Sequence, residues 1–380
     1  MVMKKCSRRE FLEQALKLGL GATALPALGL MPAFAARGAP DPAVLKEALY
    51  YRKLPDGKLQ CTLCPNQHTY KDGEFSYCRT RCVIKGKMYT LAYNNPCTLN
   101  IDPIEKGPFY HIRPNTNALG IALGGCNLRC AYCQNWDISQ KRPDELKNID
   151  FTKADALKWV NEKECKTILW SYTDPAVYPE YLLEVAGYTA KEGIKNAICT
   201  AGFISQQPLK DICKVSEAFA VTLKAFNDKF YQEVCGQTSY KPVLQSLETI
   251  KAEGKWLEVV NLIIPSYNDN MDEIKEMCKW LVKNLGPDTP LHVGRFVPSY
   301  KLNSLPMTPV KTVEQARQIG LDAGLKFVYA FNVAPHEGNY TYCPKCGKTL
   351  IKRLAFKVLE NVMVKGACPG CGQKIPGIWS

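Results

Sequence analysis

Short apolar runs alternate with amphipathic stretches between residues 117 and 332. The runs are rich in β-branched and aromatic residues, as strands buried on both faces are. The strand candidates are Ala118–Leu123, Thr167–Tyr172, Asn196–Thr200, Phe219–Lys224, Leu257–Ile264, Leu291–Phe296 and Lys326–Phe331. Repeated strand–helix units predict an α/β fold whose parallel sheet is either doubly wound or curled into a barrel.

Polar residues and glycines between these runs mark the ends of helices. The spacing of a capping box, in which side chains bind the first free backbone amides, occurs in Thr152 with Asp155 and in Thr312 with Gln315. Glycines stand where a helix would end in a left-handed residue at Gly193, Gly254 and Gly286. With helices joining parallel strands, functional residues should gather at the carboxyl ends of the strands.

The first 36 residues differ from the rest. The pair Arg8–Arg9 opens the segment SRREFL, which resembles a twin-arginine translocation signal, and Ala33–Ala35 is typical of a signal-peptidase site. Pro26 and Pro32 interrupt an apolar run that is too short to span a membrane. We expect residues 1–36 to be a leader, and the protein to be exported to the periplasm or cell exterior without a membrane span. The alternative is an amphipathic helix of a cytoplasmic protein.

The chain is basic, with 49 Lys and Arg against 36 Asp and Glu and a net charge of +13. The basic residues form no long block, and no nucleic-acid-binding motif accompanies them. We therefore interpret the charge as a solvated surface and do not expect nucleic acid as a partner.

Cysteine is unusually frequent, with 18 residues in a chain of 380. Many of them are closely spaced, which favours metal chelation over disulfides because a short loop can turn two sulfurs toward one ion. The set Cys61, Cys64, His68 and Cys78 supplies four soft ligands, with Cys82 as an alternative to His68. We expect zinc there, or an auxiliary iron–sulfur cluster as the alternative.

A second set near the end of the sequence has the spacing of a zinc ribbon. It consists of Cys343, Cys346, Cys368 and Cys371, in two CxxC loops that each continue with a glycine. Zinc is again the expectation, with an auxiliary iron–sulfur cluster as the alternative. Five other cysteines are predicted to be buried apolar residues: Cys165, Cys199, Cys213, Cys235 and Cys278.

Directly after the first strand candidate, Cys126, Cys130 and Cys133 form a CxxxCxxC triplet. Three thiolates on one loop would hold a cubane iron–sulfur cluster and leave one iron open, as a catalytic metal site leaves a position for its substrate. These three residues are the catalytic candidates. If another cysteine such as Cys97 closed the fourth corner, the site would be a plain electron carrier.

The triplet, with Tyr132 before its third cysteine, resembles the radical S-adenosylmethionine superfamily. The longer segment CNLRCAYCQNWDIS resembles the branch related to pyruvate formate-lyase activating enzymes. Most of residues 61–379 is similar to the radical enzyme of the AmmeMemoRadiSam system, through CTLCPNQ, WSYTDPAVYPEY, LKAFNDKFYQEVCG, LIIPSYNDN, PLHVGRFVPSYKL, PMTP, TYCPKCG and PGIW. The resemblance implies an incomplete (β/α)6 barrel flanked by small Cys-rich modules, with a 4Fe-4S cluster and S-adenosylmethionine as cofactors.

The resemblance also implies contacts to S-adenosylmethionine at later strand ends. Asp174 stands where the superfamily often has Gly-Gly-Glu and would accept a hydrogen bond from the methionyl amino group; its alternative role is to cap the next helix. Thr200 opens a Thr-Asn-Gly-like segment that lacks the asparagine, and Lys224 ends an Asp-Leu-Lys-like segment that lacks the aspartate. Lys224 would pair with the cofactor carboxylate unless it is simply solvated. Tyr132, Asn261 and Arg295 complete the candidates, the last two with a core polar role as the alternative.

We therefore expect an enzyme that reductively cleaves S-adenosylmethionine to a deoxyadenosyl radical, which abstracts hydrogen from an unidentified target. Resemblance suggests a flavodoxin- or ferredoxin-like electron donor and a protein target, or a Memo- or AMMECR-like partner. The alternatives are an exported iron–sulfur or zinc electron-transfer protein, suggested by the missing asparagine and aspartate, and a nucleic-acid-modifying enzyme, suggested by the charge. The expected domains are the leader 1–36, a Cys-rich region 37–116, the barrel 117–335 and a zinc-ribbon-like module 336–380.

Overall fold

A computed structural model describes residues 41–380 of the chain. The predicted leader, with its export signal, lies outside the described residues. Across residues 41–380, no helix is both long enough and apolar enough to cross a membrane.

Residues 41–93, which we call the N-terminal module, form two small antiparallel sheets. The strands are β1 (Lys46–Glu47), β2 (Tyr51–Lys53), β3 (Leu59–Cys61), β4 (Thr69–Tyr70), β5 (Arg81–Ile84) and β6 (Lys87–Thr90). One sheet has the strand order β1-β6-β5 and the other the order β2-β3-β4. Lys85 and Gly86 make the turn between β5 and β6 with φ of 51° and 70°. Two residues of positive φ suit a tight hairpin because they match the twist of its strands.

The main sheet runs through residues 98–331 in chain order. Its strands are β7 (Thr98–Pro103), β8 (Asn117–Ala122), β9 (Thr167–Trp170), β10 (Lys195–Thr200), β11 (Ala218–Thr222), β12 (Trp256–Ile263), β13 (Leu291–Arg295) and β14 (Val328–Phe331). Strands β8 to β14 pair in parallel, each with the next. Their largely buried residues explain the continuous apolar runs, and the strands predicted from those runs are confirmed with small shifts at the ends.

Helices join successive strands along residues 136–322. They are α1 (Trp136–Ser139), α2 (Lys153–Glu162), α3 (Pro179–Ala190), α4 (Gln206–Val215), α5 (Asp228–Glu233), α6 (Lys241–Ala252), α7 (Met271–Leu285) and α8 (Val310–Asp322). The capping box of Thr152 and Asp155 is confirmed at the start of α2. The predicted cap at Thr312 is wrong, because α8 begins at Val310 after Pro309, whose fixed φ suits a helix start. The glycines that end helices have the expected positive φ.

Strand β7 extends the sheet beyond the predicted barrel. It pairs antiparallel with β8, from Thr98 opposite Ala122 to Pro103 opposite Asn117. The predicted domain boundary after residue 116 therefore falls between two paired strands of one sheet. β7 and β14 lie at the two ends of the strand order, so the barrel is incomplete, as predicted.

Two segments far apart in the sequence close the amino-terminal end of the barrel. Ile112 and Ile378 form a β-bridge, and the Nδ1 of His111 donates a hydrogen bond of 2.6 Å to the carbonyl of Pro376. Ile112 belongs to a small apolar cluster that includes four alanines from the strands, and Ile378 packs against that cluster. We call this layer the barrel floor.

A buried carboxylate organises the barrel floor. Glu258 of β12 accepts hydrogen bonds from the backbone amides of Tyr110 and His111, at 3.0 Å each, and from His292 Nε2 at 2.7 Å. Burial opposes the charge of this carboxylate, but the hydrogen bond and charge of His292 hold the pKa of Glu258 at about 2. Glu258 therefore fixes the floor segment to the sheet as a fully hydrogen-bonded anion.

The last described segment forms a small sheet of its own. Its strands are β15 (Thr341–Tyr342), β16 (Thr349–Leu354) and β17 (Lys357–Asn361), in the order β15-β16-β17. The guanidinium of Arg353 is buried and donates to the carbonyl of Tyr110, which joins this sheet to the barrel floor. We call residues 340–375 the ribbon.

Candidate functional site

A cavity of about 630 Å³ opens at the carboxyl ends of the barrel strands. Its wall includes Cys126, Cys130 and Cys133, which all face the same space. It also includes four of the predicted cofactor-binding residues: Tyr132, Asp174, Thr200 and Lys224. The structure thus brings together residues from four strand ends that lie far apart in the sequence.

Backbone contacts hold the cysteine loop against the rest of the protein. Gly125 has a φ of 95°, and a Cβ on it would lie 2.6 Å from the carbonyl of Cys78. The amides of Arg129 and Ala131 donate to the carbonyls of Cys235 and Val234, at 2.7 and 2.8 Å. The sequence GGC is needed here because a side chain before Cys126 would meet the N-terminal module.

The three thiols of the loop have different surroundings. Burial raises the pKa of Cys126 and Cys133. The thiol of Cys235 donates a hydrogen bond to Cys130, which lowers the pKa of Cys130 to about 6. Cys235, predicted to be an ordinary buried residue, therefore contacts a candidate cluster ligand. Cys97 instead donates to the carbonyl of Ala122 at 3.5 Å and does not line the cavity.

The three thiols of the loop line one cavity, so each can bind a different iron of a cubane cluster. The hydroxyl of Tyr132 is also buried in this wall without a hydrogen-bond partner among the described residues. Three convergent thiols and an unsatisfied polar group fit a 4Fe-4S cluster with a bound cofactor.

Asp174 ties together two strand ends. Its Oδ1 accepts hydrogen bonds from the amide of Ala176 at 3.0 Å and from Thr200 Oγ1 at 2.8 Å, and its Oδ2 accepts from the amide of Ala201 at 2.9 Å. Burial raises the pKa of Asp174. Asp174 therefore caps the helical turn that follows it. The same hydrogen bonds hold its carboxylate in the cavity wall.

Lys224 places a positive charge beside the cysteine loop. Its Nζ lies 5.5 Å from the centre of the Tyr132 ring. Burial opposes the charge of this lysine, but the neighbouring thiols of Cys130 and Cys235 raise the pKa of Lys224. It is therefore an ammonium ion directed into the cavity, and it is not a solvated surface residue.

Two predicted cofactor contacts do not reach the cavity. Val260 and Leu262 line it, so Asn261 between them points to the other face of β12 and donates to the carbonyl of Leu223 at 2.8 Å. Arg295 donates to the carbonyl of Thr308 at 2.7 Å and is likewise absent from the cavity wall. Both residues act as core polar groups instead.

Several residues of the wall were not singled out from the sequence. Asp102 and Lys106 come from β7 and the turn after it, and Phe356 comes from the β16–β17 turn of the ribbon. Tyr172 adopts a φ of 66° and donates its hydroxyl hydrogen to Asp102 across the cavity. The alternation of polar and apolar residues in TLNID was the available signal for β7, whereas nothing local indicated that Phe356 would reach the barrel.

The predicted ligands of the N-terminal module come from the end of β3, the turn after it and the segment before β5. His68 packs its ring near Tyr77, with 5.2 Å between the ring centres. Cys82 follows Arg81 on β5 and so points to the opposite face from the thiols that Arg81 contacts. The zinc site expected from the sequence stays a prediction for this module.

The ribbon cysteines are gathered as predicted. Within residues 41–380, they form one group whose ligand atoms all lie within 4.8 Å of one another. The Sγ atoms are 3.6 Å apart between Cys343 and Cys371, and also between Cys346 and Cys368. Four thiolates at about 2.3 Å from a zinc ion would be about 3.8 Å apart, so this group can hold a metal ion.

Comparison with known proteins agrees with this geometry. The Radical SAM superfamily model matches residues 121–281. An uncharacterized protein of Methanocaldococcus jannaschii is 40% identical over 333 residues, covering 87% of this chain and 99% of that protein. The pyruvate formate-lyase-activating enzyme of Clostridium pasteurianum is 23% identical over 166 residues, covering 42% of this chain and 67% of the enzyme.

A third relative has a related name. The benzylsuccinate synthase activating enzyme of Thauera aromatica is 27% identical over 112 residues, which cover 29% of this chain and 34% of that enzyme. The superfamily match spans the cysteine loop and the parallel strands from the end of β8 to β12. The chain is an enzyme of the radical S-adenosylmethionine superfamily.

Proposed function

We propose that this enzyme reductively cleaves S-adenosylmethionine and abstracts a hydrogen atom from a target molecule. The observation that carries the proposal is the convergence of Cys126, Cys130 and Cys133 with Lys224 and Asp174 on one cavity. When bound, a reduced 4Fe-4S cluster with one open iron supplies the electron that breaks a carbon–sulfur bond of S-adenosylmethionine. The three cysteines would hold that cluster.

The remaining wall residues suit the methionyl end of the cofactor. The ammonium of Lys224 would pair with its carboxylate. Asp174 offers about four acceptor positions, of which the structure fills three, so one remains for the amino group of the cofactor. Leu169, Val260 and Leu262 make part of the wall apolar and would help to exclude water from the reacting atoms.

We propose a protein target. Two relatives are named as activating enzymes, that is, as proteins that act on other enzymes. In the present chain the ribbon residue Phe356 reaches the cavity wall, so a target would meet the ribbon as it approaches the cavity. The electron donor would be a flavodoxin- or ferredoxin-like protein, since the cleavage consumes one electron at a time.

We also propose that the ribbon holds a structural zinc ion. The 3.6 Å pairs of sulfur atoms support a tetrahedral site that is closed to substrate, which is the form structural zinc takes. Metal analysis of the purified protein should find about one zinc per chain, and this zinc should disappear in a Cys343→Ala variant.

The proposed reaction can be tested anaerobically. The protein is reconstituted with iron and sulfide, reduced with dithionite and mixed with S-adenosylmethionine, and deoxyadenosine and methionine are measured. We expect both products from the wild type, none from Cys126→Ala, and wild-type amounts from Cys278→Ala, which removes a buried thiol remote from the cavity. Product formation by Cys126→Ala at the wild-type rate would contradict the proposal. Bound cluster and cofactor without any product would also contradict it.

A further inference from the structure

Two aromatic side chains stack on each other at the surface beside the cysteine loop. Trp136 begins α1, three positions after Cys133. The centre of its ring lies 5.2 Å from that of Tyr300, with 10° between the ring planes. Trp136 remains 44% exposed in spite of this contact. We call Trp136 and Tyr300 the aromatic pair. Tryptophan and tyrosine are enriched where one protein binds another.

The loop that follows β13 holds Tyr300 against the cysteine loop. Ser299 Oγ donates to the carbonyl of Cys133 at 3.2 Å, and the amide of Lys301 donates to the carbonyl of Ala131 at 2.9 Å. Tyr300 between them adopts a φ of 52°, which is unusual for an aromatic residue. Such a backbone persists only where the surrounding contacts enforce it, so the position of Tyr300 is fixed by the cysteine loop.

The aromatic pair lies outside the cavity. Cys133 lines the cavity, as do the two residues after it, whereas Trp136 and Tyr300 do not. Ser299 and Lys301, which do not line the cavity either, contact the backbone of the cysteine loop. The cysteine loop therefore separates the aromatic pair from the cavity. A protein bound at the aromatic pair would be close to a cluster held by that loop, and it would leave the cavity open.

The charges in this region are predominantly positive. The segments 124–141 and 296–311 together contain four basic residues and one acidic residue, namely Arg129, Lys141, Lys301 and Lys311 against Asp137. Lys301 is exposed, and its Nζ lies 5.5 Å from the centre of the Tyr300 ring. Opposite charges steer two proteins together and fix their orientation, so this surface favours an acidic partner.

The loop 296–308 adds apolar surface to the region. The amide of Thr308 donates to the carbonyl of Phe296 at 3.3 Å, which closes the loop and brings the neighbouring residues Val297 and Met307 together at its base. Val297 and Met307 are each 40% exposed. Exposed aromatic and apolar side chains surrounded by charged residues are the usual composition of a protein–protein interface.

We propose that the aromatic pair and the loop 296–308 are the docking surface for the acidic protein that reduces the cluster, a flavodoxin or ferredoxin. The inference rests on the proposed function, because that reaction needs an electron donor. One electron leaves the carrier and enters the cluster, and no bond forms or breaks in this step. The target is not the occupant, since it must place its reacting atoms in the cavity. Donor and target can therefore be bound at the same time.

Reduction by a protein and by a small molecule separates docking from chemistry. The full chain is reconstituted with iron and sulfide and mixed anaerobically, without S-adenosylmethionine, with reduced flavodoxin, reduced ferredoxin or dithionite. The bleaching of the cluster absorbance is timed. Trp136→Ala should lower the rate with the protein carriers at least about tenfold, because it removes an aromatic anchor of the interface. Its rate with dithionite should equal that of the wild type.

A matched control and a decisive outcome accompany this experiment. Tyr188→Ala changes an exposed tyrosine near the end of α3 and should match the wild type with every reductant. Equal rates for Trp136→Ala and wild type with both carriers would overturn the proposal. Absence of deoxyadenosine when the wild type is reduced with dithionite would instead count against the proposed function alone.

The charge of the surface provides a second test that leaves the aromatic pair intact. Lys301→Glu should lower the rate with the carriers and weaken the decrease of that rate with ionic strength. Lys283→Glu, at an exposed position near the end of α7, should change neither property. The same salt dependence in Lys301→Glu and wild type would overturn the assignment of this surface to an acidic carrier.

Discussion

The backbone amide of Cys126 donates a hydrogen bond of 3.1 Å to the carbonyl of Cys78. The first ligand of the catalytic loop is therefore positioned by a segment that precedes the barrel. Gly125 makes this approach possible, since a Cβ there would lie 2.6 Å from the same carbonyl. The N-terminal module thus supports the active site directly, and a barrel cut out at residue 117 would lack both this contact and β7.

Acidic pH should destabilise the protein through the barrel floor. Burial lowers the pKa of His111 to about 4, against about 6.5 in an unfolded chain. Between these values the unfolded state binds a proton that the folded state does not, so stability is lost as the pH falls from about 6.5 to about 4. The loss is about 3 kcal/mol at most, and Glu258 adds to it below about pH 4.5 because its folded pKa is about 2.

Denaturant unfolding of wild type and His111→Gln between pH 4 and 7 checks this prediction. Both proteins carry the same metal ligands, so the difference between them isolates the histidine. The variant should lose less stability than the wild type between pH 6.5 and 4. Parallel pH profiles would show that His111 does not titrate as its burial predicts.

Loss of a ribbon ligand should unfold the ribbon and spare the catalytic cluster. Cys343→Ala removes one of four thiolates, and it should cost more than about 3 kcal/mol because bound structural zinc contributes folding energy. The matched control is Cys278→Ala, also a buried thiol but outside the group, which should cost about 1 kcal/mol. Thermal unfolding and metal analysis provide the measurements, and similar melting temperatures for the two variants would argue against a structural metal.

Lys224 should be needed for cofactor binding but not for cluster assembly. Lys224→Met keeps the length of the side chain and removes its charge, so the Kd for S-adenosylmethionine should rise at least about tenfold, which corresponds to about 1.4 kcal/mol. Equilibrium binding to the reconstituted protein gives this value. Lys229→Met, at an exposed position on α5, should bind as wild type does. An unchanged Kd in Lys224→Met would remove Lys224 from the binding site.

Two glycines should respond to alanine in opposite directions. A Cβ on Gly294 would lie 2.1 Å from the ring of Phe331, a cavity residue, so Gly294→Ala should cost about 1–3 kcal/mol and alter the cavity. Gly187 lies inside α3, where a Cβ would meet Val215 at 4.0 Å, so Gly187→Ala should stabilise by up to about 1 kcal/mol. The melting temperatures of the two variants test this prediction. A change of the same sign in both variants would contradict it.

The sequence predicted the parallel strands and the cysteine loop because their signals are local. An apolar run such as Leu257–Ile264 can be recognised as a strand without knowing which strand pairs with it. The spacing of the three cysteines can be taken directly from the sequence, because they lie on one loop. The same strand shows the limit of this reasoning. It is buried on both faces, so no alternation of polar residues fixes which side faces inward, and Asn261 was assigned to the wrong side.

Other features depend on contacts between distant segments. β7 is short and half-exposed and ends in Pro103, so its sequence pattern resembles that of a loop. It becomes a strand because it pairs with β8. Phe356 reaches the cavity because the ribbon packs on the barrel, and no pattern near Phe356 encodes that.

The barrel floor also bears on the order in which the chain folds. The hydrogen bond from His111 to Pro376 joins residues 265 positions apart. Contacts between residues so far apart in the sequence form late. Closing the intervening loop costs conformational entropy before the contact can contribute any stabilisation. The parallel sheet should therefore assemble first, with the interior of the barrel open to water from below. The amino-terminal end of the barrel should then close last, when the segment around Pro376 docks on it.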